Sequence, residues 1–386
     1  SKWKPGRKDI GYAMGLFQIF INAVKMVFSP IHKIPYYRWW QVQAMLDLNR
    51  RVCYWSAFLR EQNARIHMHQ VANTPSSIPM VFAADKVGAI DVGYQWSATD
   101  FFNTSRGRIV SNHLFFSWGH LFSEQLNENG MEPDTVLIGG HVFGYLAKNR
   151  RDESNSIRNR LLTKETQFIV CIFDGSMDKD IHQTPKILQE FYRLVVDWML
   201  VRPTIGIIIK PKSDTLLESP EFKNIIDRAL TTGRCLIETS NKSSFEVSMA
   251  SDVALGIGVN TATLDAAIAG IPAIHLDIPG MAVAYEGLQT DSGAYVFRHA
   301  NKMFSAIDAY RKGLSDNGLG AHGDWLDSID PFRDGSGASR FGAVLATYLG
   351  AIDSGCNVES ALNEALRHYS INVGPQYVID HRNASK

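Results

Sequence analysis

From residue 167 to 312 the sequence alternates between short β-branched apolar runs and segments with helical spacing, and few architectures accommodate that rhythm. The apolar runs predict strands at 167–173, 204–209, 234–237, 253–257, 273–276 and 294–297. Helices are expected at 186–200, 221–231, 244–250, 261–269 and 300–312. Strands separated by helices of this length form a parallel sheet, because each parallel crossover needs a covering segment that buries its own apolar face. A sheet of this kind offers its ligand site beyond the carboxyl ends of its strands.

The first half follows the same chemistry less regularly. Trp40, Ala44, Leu48, Val52, Trp55 and Leu59 recur at three and four residues and predict a helix over 38–60. Strands are expected at 64–68, 90–95, 113–118 and 134–138, with helices at 80–88 and 119–129. The charged, apolar-poor stretch Lys148–Arg160 reads as a linker, and 313–338, rich in Gly, Asp and Ser, as a loop. Helices over 339–352 and 357–368 close the chain, the second capped by Asn357. A chain of 386 residues is too long for one ordinary core. The expected divisions are a basic, amphipathic segment at 1–36, an α/β domain at 37–160, a second at 161–335, and C-terminal helices at 336–386.

Lys plus Arg and Asp plus Glu both number 39, so no basic excess invites nucleic acid. An anionic ligand must then be met by local charge or by helix ends. Cys53, Cys171, Cys235 and Cys356 lie far apart, without a CxxC pair or a Cys/His cluster. That spacing argues against a zinc site or disulfide framework and suits a reducing cytoplasm. Ile10–Phe28 is apolar, yet Gln18, Asn22 and Lys25 interrupt it and make it a poor membrane span. Lys2, Lys4, Arg7, Lys8, Lys33 and Arg38 flank it, and Tyr36, Tyr37, Trp39 and Trp40 follow. Two readings stand: a helix packed on the domain, or peripheral membrane contact through residues 1–40 at the inner face of the cell membrane.

Four strand ends in the second half carry polar residues. Phe173-Asp174-Gly175-Ser176 sets a carboxylate and a glycine where the chain must turn, and Lys210-Pro211-Lys212 sets two cations at the next end. Glu238-Thr239-Ser240 is followed by Lys242-Ser243-Ser244. The fourth, Gly256-Ile257-Gly258-Val259-Asn260-Thr261-Ala262-Thr263-Leu264-Asp265, is the most informative. Its glycines let backbone approach a ligand, and Asn260, Thr261 and Thr263 stand where a helix begins. Free N–H groups and the positive dipole end there favour a phosphate. Asp265, one turn in, is placed to accept from ribose hydroxyls. An ordinary strand–turn–helix with an N-cap has the same pattern, and two lysines at a strand end also suit plain solvation.

With Ala266-Ala267-Ile268-Ala269-Gly270-Ile271-Pro272, that segment resembles the donor motif of GT-B glycosyltransferases, a Gly- and Ser/Thr-rich turn leading into a helix that ends AxxxGxP. The resemblance covers roughly residues 167–312, with Asp265 where the family usually has glutamate. In the first half, Val92–Ser97, Phe116–Gly119 and Leu137–Gly140 are similar to surface-carbohydrate biosynthesis proteins. Asp174 followed by Lys210 or Lys212 is similar to transferases that use CMP-activated Kdo, which often carry His-Pro where this chain has Lys-Pro or Pro-Lys.

The resemblance implies an α/β fold of two Rossmann-like domains facing a cleft (GT-B), with C-terminal helices. It implies an acceptor side in 37–160 and nucleotide-donor binding in 161–335. The implied function is a glycosyltransferase that moves a sugar from a nucleotide-sugar donor to an oligosaccharide or lipid-linked acceptor of a surface polysaccharide. No cofactor beyond the nucleotide-sugar co-substrate, and no metal, is expected. Asp178-Lys179-Asp180 is a poor Mg²⁺ site because a lysine stands between its carboxylates. The donor-binding set is Gly175, Ser176, Lys210, Lys212, Glu238, Ser243, Ser244, Asn260, Thr261, Thr263 and Asp265. Asp174, Asp100 and His113 are the expected catalytic residues, although a histidine opening an apolar run is more often a satisfied core residue. Asp85 and Asp91 are weaker choices, and His141, following Gly139-Gly140, is placed to line the cleft. Three other readings share the fold: a CDP-polyol phosphotransferase of teichoic-acid type, a sugar-nucleotide 2-epimerase, and a non-catalytic binding module.

Overall fold

The computed structural model describes residues 39–69, 77–98, 110–128, 133–162, 165–175, 184–214, 218–278, 295–314 and 318–382. The N-terminal segment 1–38, Asp100, Ser176 and the Asp178-Lys179-Asp180 triplet lie outside these residues.

The apolar runs resolve into two sheets. The first aligns β1 (Ile66–His69), β2 (Ile90–Tyr94), β3 (Leu114–Ser117) and β4 (Thr135–Ile138) in sequence order, all parallel. Helix α1 (Trp39–Glu61) precedes β1, while α2 (Ile78–Val87) and α3 (His120–Glu128) follow β1 and β3. Two helices, α4 (Tyr145–Asn149) and α5 (Arg151–Leu161), then lead to the second sheet. This region reads as a linker because its mean polarity is high. Ser154, Ile157 and Leu161 nevertheless stand three and four residues apart and bury a narrow stripe, which is enough for a helix packed on a neighbour.

The second sheet comprises β5 (Phe168–Phe173), β6 (Ile205–Lys210), β7 (Cys235–Ile237), β8 (Val253–Ile257), β9 (Ala273–Leu276) and β10 (Val296–Phe297). Their spatial order is β7-β6-β5-β8-β9-β10, every neighbour parallel. Helices α6 (Pro185–Leu200), α7 (Pro220–Leu230), α8 (Ser244–Met249), α9 (Thr261–Ile268) and α10 (Ala300–Arg311) connect or follow these strands. All six residues of β5 are buried, as expected of a strand covered on both faces. The chain leaves β5 toward one edge and resumes through β8 toward the other. Connections therefore diverge between β5 and β8 and open a crevice at their carboxyl ends.

Residues 313–338, which read as loop, contain the short helix α11 (Asp324–Ile329), with Trp325, Leu326 and Ile329 buried. The chain then returns to the first sheet through α12 (Gly337–Asp353), α13 (Val358–Asn372) and β11 (Val378–Asp380), which pairs antiparallel with β4. Phe341, Val344, Tyr348, Leu362 and Tyr369 pack on Ile90, Val92, Leu114, Phe116 and Leu137, so these last helices complete the first sheet's core. Asn357 caps α13 as its sequence predicts, its Oδ1 accepting from the Ser360 amide at 2.8 Å.

Backbones approach closely where Gly119, just after β3, meets α11. A methyl group there would run into the carbonyls of Ser328 and Ile329. Gly119→Ala is therefore expected to lose about 2–3 kcal/mol in urea unfolding, the scale of core overpacking. An unchanged midpoint would refute that approach.

Candidate functional site

The β5/β8 crevice gathers most of the polar strand ends. Asp174, one residue past β5, is buried; its Oδ1 accepts from the Lys212 amide at 2.6 Å and its Oδ2 from the Tyr192 hydroxyl at 2.9 Å. It thus ties the β5 end to α6 and to the turn after β6, with Gly175 beside it and both oxygens already engaged. Burial pushes its carboxyl up to about 6, against the pull of these hydrogen bonds and of Lys210 and Lys212. A carboxyl whose folded pKa exceeds its unfolded value near 3.8 holds extra protons in the native state between those pH values. Its contribution is full below pH 4 and is lost as pH rises through about 6. Relative to Asp174→Asn, the wild type is expected to lose about 2–3 kcal/mol between pH 4 and pH 7, read from urea midpoints. A pH-independent difference between the two would exclude it.

Lys210 ends β6 half-buried and makes no hydrogen bond or ion pair with any described residue. Burial lowers its pKa, while the carboxylates of Asp174, Asp265, Asp214 and Glu246 oppose that shift. The Lys212 side chain is exposed, and its backbone N–H serves Asp174. Glu238, at the β7 end, is buried and paired with Arg160 Nη1 at 2.5 Å. Ser243 caps α8 in a reciprocal box: its Oγ accepts from the Phe245 amide at 3.1 Å, and its amide donates to Glu246 Oε2 at 2.8 Å.

Several side chains at the start of α9 bond within the protein. Asn260 Oδ1 accepts from the Thr263 amide and hydroxyl, both at 2.9 Å. Thr263 is fully buried against Gly256, where a side chain would overlap its hydroxyl. Thr261 Oγ1 accepts from the Ala98 amide at 3.1 Å and touches Ser97 Oγ at 2.9 Å. In the structure these two hydroxyls pack the helix start and join it to the chain leaving β2. Asp265 is likewise engaged, Oδ2 accepting from Ser244 Oγ at 2.5 Å.

Facing Asp265 from the first sheet is His141. Gly140 takes a left-handed turn at φ 86° after β4, and Asp330 Oδ2 then accepts from the His141 amide at 3.0 Å. His141 Nδ1 accepts from the Phe143 amide at 3.0 Å, which leaves the proton on Nε2. Nε2 lies 3.0 Å from Asp265 Oδ1, off the hydrogen-bond line, so neither buried atom has an aligned partner. The Trp118 ring covers the imidazole with centroids 3.9 Å apart. Sequence reasoning put His141 at the cleft from its Gly-Gly approach, but its pairing with Asp265 depends on the two sheets meeting.

His113 is not among these groups. It stands at the amino end of β3, where Nδ1 accepts from the Asp91 amide at 2.9 Å and Nε2 contacts Asp85 Oδ1 at 2.7 Å. The first sheet meets the second from the opposite ends of its strands, through Ser97, Trp118 and His141 after β2, β3 and β4.

No family model matches the sequence, and no curated protein matches it. Solved structures do match. A putative UDP-N-acetylglucosamine 2-epimerase from Listeria monocytogenes is 16% identical, with a TM-score of 0.52 over 78% of this chain and 79% of that one. The UDP-GlcNAc 2-epimerase of Methanocaldococcus jannaschii is 14% identical, with a TM-score of 0.51 over 78% and 81%. The chain has the GT-B fold. The wall teichoic acid polymerase TagF also matches, at 12% identity and a TM-score of 0.48 over 73% and 72%. In this GT-B frame the two sheets turn their carboxyl ends toward each other, bridged by Ser97–Thr261 and His141–Asp265. Among the described residues, no helix is long and apolar enough to cross a membrane.

Proposed function

We propose that this GT-B chain is a nucleotide-sugar-dependent glycosyltransferase that holds its donor diphosphate in the β5/β8 crevice, against Lys210 and the amide end of α9. Lys210 carries the reading. A half-buried ammonium without a contacting anion is unfavourable until an anion arrives, whereas nearby Arg160 and Lys242 already face Glu238 and Glu246. The leaving phosphate would be stabilised by Lys210, with Lys212 at the rim, and by the helix dipole, so transfer in this cleft needs no metal. Asp174 positions the turn that follows Lys210. The acceptor, an oligosaccharide or a lipid-linked saccharide, would approach from the first sheet, past Ser97 and His141, at the inner face of the membrane.

The test is a panel of CMP-, CDP-, UDP- and GDP-activated donors, read by thermal shift and by sugar release in EDTA. One nucleotide class is expected to raise the melting temperature and to be hydrolysed slowly without metal. A panel that leaves the melting temperature unmoved would overturn the reading. Binding with neither hydrolysis nor transfer would make the chain a binding module.

A further inference from the structure

We propose that His67, His69 and Asp91 hold a divalent transition-metal ion on the first sheet, with Asn112 Oδ1 as a fourth ligand. The alternation of β1 puts both histidines on one face, with Met68 between them on the other. Parallel pairing sets His67 against Asp91 and His69 against Gly93, so the aspartate lies beside both rings. Asp91 is fully buried on the sheet face opposite Ile90 and Val92, which enter the core beneath the C-terminal helices. His67 Nδ1 lies 2.5 Å from Asp91 Oδ1, and His69 Nε2 lies 3.1 Å from Asp91 Oδ2. One ligand atom from each residue falls within 4.8 Å of the other two, the single such group among the described residues.

Protons alone cannot satisfy this cluster. Asn112 Nδ2 contacts both Asp91 Oδ2 and His69 Nε2, the latter at 3.0 Å, and those two atoms contact each other. An imidazole nitrogen offers one lone pair or one proton. If His69 Nε2 is protonated to donate to Asp91, it faces the amide N–H of Asn112 donor to donor. If it accepts from Asn112, two acceptors face each other across 3.1 Å. Asn112 Oδ1, meanwhile, is buried without a partner on a residue only 1% exposed.

A cation resolves the conflict between His69 Nε2 and Asp91 Oδ2 and gives Asn112 Oδ1 a partner. Rotating the amide by half a turn, which exchanges two groups of nearly equal size, brings Oδ1 to the place of Nδ2. The four residues then offer nitrogen and oxygen lone pairs within one cluster. Two imidazoles, a carboxylate and an amide oxygen suit zinc or a neighbouring first-row ion better than Mg²⁺ or Ca²⁺. Tetrahedral ligands 2.0–2.1 Å from zinc stand about 3.3 Å apart. The His69–Asp91 separation of 3.1 Å is close to that value, and the 2.5 Å between His67 and Asp91 would open slightly around an ion. The histidine side chains are 18% and 15% exposed, which leaves the ion a way in. The cluster sits at the β1 edge of the first sheet, apart from the strand ends that carry the donor site, so the ion is structural.

The test uses the tag-free chain, stripped with chelator and titrated with Zn²⁺ and with Co²⁺. One equivalent of zinc is expected to bind and to raise the melting temperature, and cobalt to show visible bands of a nitrogen- and oxygen-ligated ion. His67→Gln and His69→Gln, both partly exposed sites that spare the buried aspartate, are expected to weaken zinc by about 100-fold or more, with unchanged circular dichroism. Nucleotide-sugar affinity of the wild type should be the same with and without zinc. Absence of stoichiometric uptake, or equal uptake by the His67→Gln/His69→Gln double variant, would overturn the proposal.

Discussion

Lys210→Ala is expected to lower nucleotide-sugar affinity about ten- to a hundredfold, and turnover by about 10²-fold or more, without loss of stability. The first figure is the worth of a charge-assisted hydrogen bond to phosphate, and the second that of an electrostatic stabiliser of developing charge. Stability holds because the ammonium at the β6 end is half-buried and contacts no described anion. Removing it deletes a desolvated charge and no native bond. Lys212→Ala, at an exposed position two residues on, is expected to change affinity less than tenfold. Calorimetric titration of the donor on the two variants, beside their urea midpoints, decides the matter. Equal donor affinity in Lys210→Ala and wild type would remove the lysine from the site.

Asp265→Ala is expected to destabilise the protein by about 3 kcal/mol. The substitution leaves the Ser244 hydroxyl without its acceptor and takes from the buried His141 Nε2 the carboxylate that faces it at 3.0 Å. Asp265→Asn should cost about 1 kcal/mol, because its amide can offer oxygen to His141 and N–H to Ser244. Since the contact joins α8, α9 and the turn after β4, His141→Ala and Asp265→Ala should also combine non-additively. Equal losses for the alanine and asparagine variants would show that the carboxylate does not hold the two sheets together.

Much of the architecture was legible locally. The strand runs of the second half have no polar face, so their burial on both sides follows from composition alone. Thr184 before Pro185 and Asn357 before Val358 announce helix starts through side chains that accept from the third amide on. Asp174, Lys210 and Asp265 lie at the crevice because strand ends carry whatever follows a strand. The α5 helix was hidden because a stripe of only three buried residues does not raise the local apolarity. Strand β11 was hidden because three residues carry no readable period, and its pairing with β4 is long-range.

The sequence by itself determined that this chain forms parallel α/β sheets, where its strongly periodic or capped helices begin, and which residues lie past the strand ends. Those are properties of periodicity and of single caps, decided within a few neighbours. Only the tertiary structure decided what those residues touch. Thr261 and Thr263 proved to be bonded within the protein, and His141 meets Asp265 across 124 positions of chain. His67 and His69 became companions of Asp91 and Asn112 only through the register of β1 on β2. A side chain's chemistry depends on the partner that desolvates or pairs it, and that partner is chosen by the packing of distant segments, which no local pattern encodes.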